Sequence, residues 1–411
     1  MKNFDDLLRK YANLVIKKGV NIQEDGLLFI NSPIECSNFA RLLAEEAFKA
    51  SAKDVYINYS DELFTKIRFK NASEETLSKI PQYEIDKYNY FTDNGASFIS
   101  ISASDPSLFK GIDSKKISSA SKARSIALRN YSDKLMNNEN AWCVISMPTK
   151  AWASKIFNDV SEDEAVEKLF EAIFNVMRLN SEDPITEWTN HSNNLKSNMK
   201  KLQDYNFDKL IFTNSLGTNL ELSLAPNHIW CGGSDITKDG VEFIANMPTE
   251  EIFTTPKRNG VNGTVYSTKP LNYGGNLIDN FSFTFKDGKI IDFTAEEGYD
   301  SLKELLDTDE GSRYLGEVAL VPYNSPISNS NILFFNTLFD ENASCHLAIG
   351  KAYPSCIKNG EQMNDKELLN AESNISLTHV DFMIGSKDLD IIGITKEGNK
   401  VQVFKNGNFA I

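Results

Sequence analysis

The sequence is poor in cysteine, histidine and positive charge. Its five cysteines, Cys36, Cys143, Cys231, Cys345 and Cys356, are scattered over 411 residues. They are odd in number and include no CxxC pair, which excludes a disulfide framework and a zinc finger or ribbon. No apolar run approaches the ~18–20 residues that a spanning helix requires. Lys and Arg number 43 against 57 Asp and Glu, a net charge of −14. That sign opposes phosphate backbones and anionic lipid, so neither nucleic acid nor membrane is expected as a partner. Asp5 and Asp6 stand where a secretory leader would carry positive charge and then an apolar run. A cytoplasmic protein is the simplest expectation.

Several catalytic signatures are also missing. There is no GxxxxGK[ST], GxSxG or HExxH, and no GxGxxG follows the first strand pattern. Gly232-Gly233 and Gly274-Gly275 read as turns. Cys345 adjoins His346, but chain neighbours on a strand point to opposite faces, which argues against a cysteine–histidine dyad.

What is present is an ordinary globular balance, 41% hydrophobic and 24% charged, at a length suited to two or three domains. The first half alternates helical and strand periods. Phe4, Leu7, Leu8, Tyr11, Leu14 and Val15 share a helical face. Strand 26–31, a helix from about Glu35 to Ala50 and strand 54–59 form a βαβ unit. Strand 96–102, helix 119–135 and strand 141–147 repeat the pattern. A helix over 162–179 is opened by Ser161 with Glu164 three residues on, a capping box. These features predict an α/β N-terminal domain, 1–183, with a mainly parallel sheet.

Pro184 suits the first turn of a helix reaching about Leu202. Beyond it the pattern is strand-rich: 209–214, 219–224, 264–268, 281–285, 290–294, 317–322, 347–350, 379–384 and 401–404, with one helix at 299–306. Lys286-Asp-Gly-Lys289 is a hairpin signal. The second domain, 184–411, is predicted as β-rich α+β with mostly antiparallel pairing.

Four local patterns carry chemistry. In His379-Val-Asp381, residues i and i+2 of a strand face one side, which offers a metal one nitrogen and one oxygen, or else a structural His–Asp hydrogen bond. Glu317, after Gly316, opens an apolar strand as either a carboxylate ligand or a solvated strand start. Glu250 and Glu251 lie in the proline-bracketed segment 246–256, where an extended chain aims them apart. Tyr353, seven residues after His346, is either an oxyanion donor or a buried tyrosine before a proline turn. His191 and His228 read as structural, with His228 an alternative cavity-lining residue.

Taken together, Asn246-Met-Pro-Thr-Glu-Glu-Ile-Phe-Thr-Thr-Pro256, Leu315-Gly-Glu-Val-Ala-Leu-Val-Pro322, His346-Leu-Ala-Ile-Gly-Lys-Ala-Tyr-Pro354 and Thr378-His-Val-Asp-Phe-Met-Ile-Gly385 resemble, in this order and spacing, the thermophilic-type metallo-aminopeptidase family. Tyr11–Val20 and Ile101–Pro106 extend the resemblance along the chain. It implies a cocatalytic two-metal site in the C-terminal domain with ligands Glu251, Glu317, His346, His379 and Asp381. It also implies Tyr353 at the reacting centre, Glu250 either as a support behind the ligands or as a proton-transfer candidate, activity supported by Zn²⁺ or Co²⁺, and a homodimer.

Such a mixed O/N donor set suits Zn²⁺, Co²⁺ or Mn²⁺. Five side chains serve two ions only if a carboxylate bridges, and Glu317 is the natural bridge. The expected reaction is hydrolysis of the N-terminal bond of peptides with a free amine, through a bridging hydroxide between paired metals. The rivals are a dimetal phosphoesterase, a non-enzymatic protein holding a small ligand, and a structural dimer with a vestigial site.

Overall fold

The structure, a computed structural model, describes residues 4–273 and 276–411. The Gly274-Gly275 pair lies outside the described residues. The chain forms two compact units that are not contiguous in sequence. One runs to His191 and takes in Ser234–Thr249 and Leu333–Leu338; the other holds Ser192–Gly233, Glu250–Ile332 and Phe339–Ile411. The division falls inside the Pro184–Tyr205 helix.

The first unit is built on a parallel sheet in the order Asp54–Ser60, Leu27–Pro33, Ser97–Ser102, Trp142–Ser146. The helix Ser37–Lys49 connects the first two strands in sequence, and its apolar stripe buries Phe39, Ala40, Leu43 and Ala47. Ser161 caps the helix Glu162–Val176 by accepting from Glu164 N–H. The single helix expected over 119–135 is instead two, Ser114–Ala127 and Arg129–Met136. Between them Leu128 leaves helical dihedrals, at φ −100° and ψ 18°, and is buried with Phe29, Tyr88 and Phe98.

The two returning segments are fastened by hydrogen bonds. Val144 N–H donates to Ala245 O (2.7 Å) and Met247 N–H to Val144 O (2.9 Å). Trp152 Nε1–H donates to Phe334 O at 2.6 Å.

The second unit contains two antiparallel sheets. The larger follows the path Leu271–Tyr273, Asn276–Lys286, Pro256–Tyr266, Asn219–Leu224, Phe207–Thr213, Asp390–Thr395, Lys400–Lys405, Asn408–Phe409, with Lys289–Glu297 also paired to Asn276–Lys286. The predicted hairpin turn is present: Asp287 (φ 49°) and Gly288 (φ 83°) both adopt the left-handed conformation that a tight two-residue turn requires.

The smaller sheet runs His379–Met383, His346–Gly350, Leu315–Leu320, Ile252–Thr254, Cys231–Gly232. Its central strands, Leu315–Leu320 and His346–Gly350, are buried at every residue, which is why they read as apolar runs. Leu315, Val318, Leu320, Leu347, Ile349 and Phe382 enter the main core of the unit. Each such side chain contributes roughly 1.5–3 kcal/mol.

Candidate metal centre

The other face of the smaller sheet is polar, and one glycine sets its phase. Leu315 pairs with Ile349 and Glu317 with Ala348, so the register slips by one residue at Gly316. This bulge turns Glu317 to the face opposite Leu315. Only glycine fits there, because a Cβ on Gly316 would lie 2.4 Å from both Gly350 O and Lys351 O. Ala348 also pairs with Asp381, and Gly350 with His379. Cross-strand partners share a face, and so do residues two apart on one strand. Glu317, His346, Ala348, His379 and Asp381 therefore occupy one side. Glu251 arrives immediately before Ile252–Thr254, the strand paired to Leu315–Leu320.

Ligand-capable atoms of Glu251, Glu317 and His346 lie within 4.8 Å of one another, as do those of Glu317, His379 and Asp381. Glu317 belongs to both sets and divides its oxygens between them. Its Oε1 is 3.6 Å from His346 Nε2, and its Oε2 is 3.4 Å from His379 Nε2. His346 Nε2 is also 3.1 Å from Glu251 Oε2, and His379 Nε2 is 3.4 Å from Asp381 Oδ1.

Both imidazoles spend Nδ1 on backbone carbonyls. His346 Nδ1–H donates toward Glu341 O (3.0 Å) and Ser344 O (3.1 Å), and His379 Nδ1–H donates to Lys351 O (2.6 Å). Carbonyls only accept, so each Nε2 turns toward carboxylate oxygens that also only accept. A cation or a proton must lie between them. Carbonyl-anchored Nδ1 with Nε2 facing inward is how proteins orient a histidine toward a metal. The donor set fits a divalent ion, and a buried carboxylate without a counter-charge costs several kcal/mol.

The electrostatics of these side chains agree. Burial alone would lower both imidazoles. Glu251 and Glu317 around His346, and Asp381 and Glu317 around His379, outweigh it and hold both well above the usual histidine range. Burial raises the Glu251 carboxyl against the pull of His346. For Asp381 burial is outweighed by the His379 charge, and its pKa is lowered.

Tyr353 packs edge-on against His379, ring centroids 4.9 Å apart, and against Phe253 at 5.6 Å. Burial, reinforced by Glu317, Asp381, Glu341 and Glu251, pushes its phenol well above the ordinary value. The hydroxyl stays protonated and able to donate. Glu250 is buried but stands in neither ligand set; its N–H donates to Asn342 Oδ1 at 2.7 Å. His191 Nε2 bonds to Thr249 O at 2.8 Å and His228 Nδ1 to Ala225 O at 3.0 Å.

No sequence motif marks Glu341. It is buried, and burial together with the charges of Asp381 and Glu251 lifts its carboxyl well above the usual range. Its position five residues before His346 was the available signal, but Asp340-Glu-Asn342 reads as a polar loop.

A metal-dependent hydrolase is the class that this fold and donor set define. The sequence profile of the thermophilic metalloprotease family (M29) matches residues 4–409, and the chain belongs to that family. It is 47% identical over 410 residues to aminopeptidase 2 of Geobacillus stearothermophilus, covering 100% of this chain and 99% of that one. It is 46% identical to aminopeptidase AmpS of Bacillus subtilis, over 100% of both. The solved structure of wild-type AmpT from Thermus thermophilus superposes with a TM-score of 0.93 at 35% identity, covering 99% of this chain and 100% of that one. The resemblance read from the four motifs is borne out, as is the pairing of a parallel-sheet domain with an antiparallel, strand-rich one. No helix among the described residues is long and apolar enough to cross a membrane.

Proposed function

We propose that this protein is an aminopeptidase that releases the N-terminal residue of peptides, using two divalent ions held on one sheet face. The observation that carries the reading is the division of Glu317 between two inward-facing imidazoles. Glu251, Glu317 and His346 would hold one ion; Glu317, His379 and Asp381 would hold the other, with Glu317 as the bridge. Zn²⁺, Co²⁺ and Mn²⁺ all suit these donors. When bound, such a pair polarises a carbonyl and lowers the pKa of water toward neutrality.

The chain's own groups supply the rest. Tyr353, kept protonated, donates a hydrogen bond to the oxyanion that develops on the scissile carbonyl. One such donor is worth roughly 3–4 kcal/mol. Glu250 is the candidate for moving a proton to the leaving nitrogen. Glu341 either completes the shell beside Glu251 and His346 or performs that proton transfer itself. Glu341→Gln separates the two roles, since the first loses metal and the second loses kcat with metal retained.

Family membership and the relatives' names favour peptide hydrolysis over the phosphoesterase and binding-protein readings. A homodimer, implied by the resemblance, belongs to the same proposal, as does a cytoplasmic site of action; sedimentation velocity tests the former. The activity test is hydrolysis of leucine p-nitroanilide and its N-acetylated form by EDTA-treated protein, before and after Co²⁺ or Zn²⁺. Metal-restored cleavage of the free-amine substrate alone is expected. Equal cleavage of the acetylated substrate, or no cleavage with any ion, overturns the reading.

A further inference from the structure

Two thiols meet on the segments that support Tyr353. Cys356 Sγ lies 3.9 Å from Cys231 Sγ, and both residues are thiols rather than half-cystines. They belong to segments already joined by backbone. His228 and Ile357 form an antiparallel bridge, Ile229 N–H donates to Cys356 O (2.7 Å) and Lys358 N–H to Asn227 O (3.0 Å). Cys231 is half-buried and Cys356 buried. A disulfide places its sulfurs about 2.05 Å apart, so closure draws these two together by about 1.9 Å.

Each cysteine also touches the support of Tyr353. Cys356 ends the turn Pro354–Cys356, and its N–H donates to Tyr353 O at 3.0 Å. Cys231 pairs across the strand with Phe253, whose ring packs against that of Tyr353. Tyr353 in turn packs against His379. Any shift that brings the two sulfurs together is therefore felt at the phenol.

We propose that Cys231 and Cys356 are a reversible dithiol–disulfide pair that sets the position of Tyr353. The functional half of this proposal rests on the aminopeptidase reading; the bond itself does not. The oxidant is a low-molecular-weight disulfide. The Cys231 thiolate attacks one of its sulfurs, forming a mixed disulfide and releasing one small thiol. The Cys356 thiolate then attacks Cys231 Sγ and releases the second. The two protein thiols are oxidised, the small disulfide is reduced to two thiols, and the two protons go with them. Misplacing a catalytic group by about 1 Å costs up to ~10²-fold, so oxidation lowers kcat by roughly ten- to a hundredfold without removing the ions.

The test is to treat metal-loaded protein with oxidised glutathione and remove the glutathione. Peptide mapping, bound metal, kcat and KM are then measured for wild type, Cys231→Ala and Cys356→Ala. The expected result is a linked peptide holding Cys231 and Cys356 in a chain two hydrogens lighter. It is accompanied by a fall in kcat that dithiothreitol reverses, with unchanged metal content, and by no such fall in either variant.

Glutathione adducts without the internal link overturn the pair, as does linkage between other cysteines. A link that leaves kcat unchanged, or equal inhibition of the variants, overturns the coupling to Tyr353. The peptide map decides the bond whether or not the chain cleaves peptides, so failure of one reading is distinguishable from failure of the other.

Discussion

Glu317 and Asp381 stand in register on opposite sides of Ala348, on strands separated only by the His346–Gly350 strand. The methyl group of Ala348 therefore forms the floor between the two carboxylates. Paired Cβ atoms of this kind lie ~4.5–5.5 Å apart, so a larger side chain at this position would intrude between the two carboxylates. Ala348→Leu is expected to reduce bound metal below one ion per chain and to abolish detectable activity. Its overpacking cost is only ~1–3 kcal/mol, so circular dichroism should still report a folded protein. Full metal content in the folded variant would show that the ions lie elsewhere.

Sharing of Glu317 predicts an asymmetry among ligand variants. Glu251→Gln and Asp381→Asn should each lose one ion, whereas Glu317→Gln should lose both. Elemental analysis after dialysis against trace metal decides it. Equal losses from the three variants would contradict a bridging role.

For Tyr353→Phe the expected change is in kcat, by ~10²–10³-fold, with KM and metal content close to wild type. Loss of metal in this variant would instead make the phenol a support for His379.

Removing the ions should make the protein sensitive to alkali. In the metal-free chain the carboxyls of Glu251 and Glu341 and the imidazoles of His346 and His379 all have raised pKa values. A group raised in the folded state stabilises fully below its unfolded pKa, ~4.3 for Glu and ~6.5 for His, and loses that contribution as pH climbs through the folded value. Asp381 is lowered, so its contribution is present above ~3.9 and is lost only in stronger acid. The metal-free protein should therefore melt at progressively lower temperature from pH 6.5 to 9. The loaded protein, whose ions replace the protons, should not. Parallel melting curves across that range would contradict the assignment.

Much of this architecture is legible in the sequence because it rests on short-range periods. Predicted strand 54–59 and helix 299–306 lie within a residue of the observed Asp54–Ser60 and Tyr299–Leu306. Asp287-Gly288 marked its hairpin through turn chemistry alone. The His379-Val-Asp381 pair was visible because a two-residue strand period places both side chains on one face.

Other features depend on long-range contact. The break at Leu128 follows from burial in an aromatic cluster that no local breaker residue announces. The return of 234–249 and 333–338 to the first unit is fixed by partners such as Val144 and Trp152. Glu341 enters the cluster from a turn whose composition resembles any solvated loop. The bulge at Gly316 is a register property, and a single sequence does not show the carbonyls that crowd it.

As proposed, Glu317 bridges two ions on this sheet face. Anomalous diffraction from crystals grown with Co²⁺, recorded at the cobalt edge, tests it most directly. Two anomalous peaks are predicted, one among Glu251, Glu317 and His346 and one among Glu317, His379 and Asp381, each in contact with one oxygen of Glu317. A single peak, or peaks that leave Glu317 uncoordinated, would contradict the account.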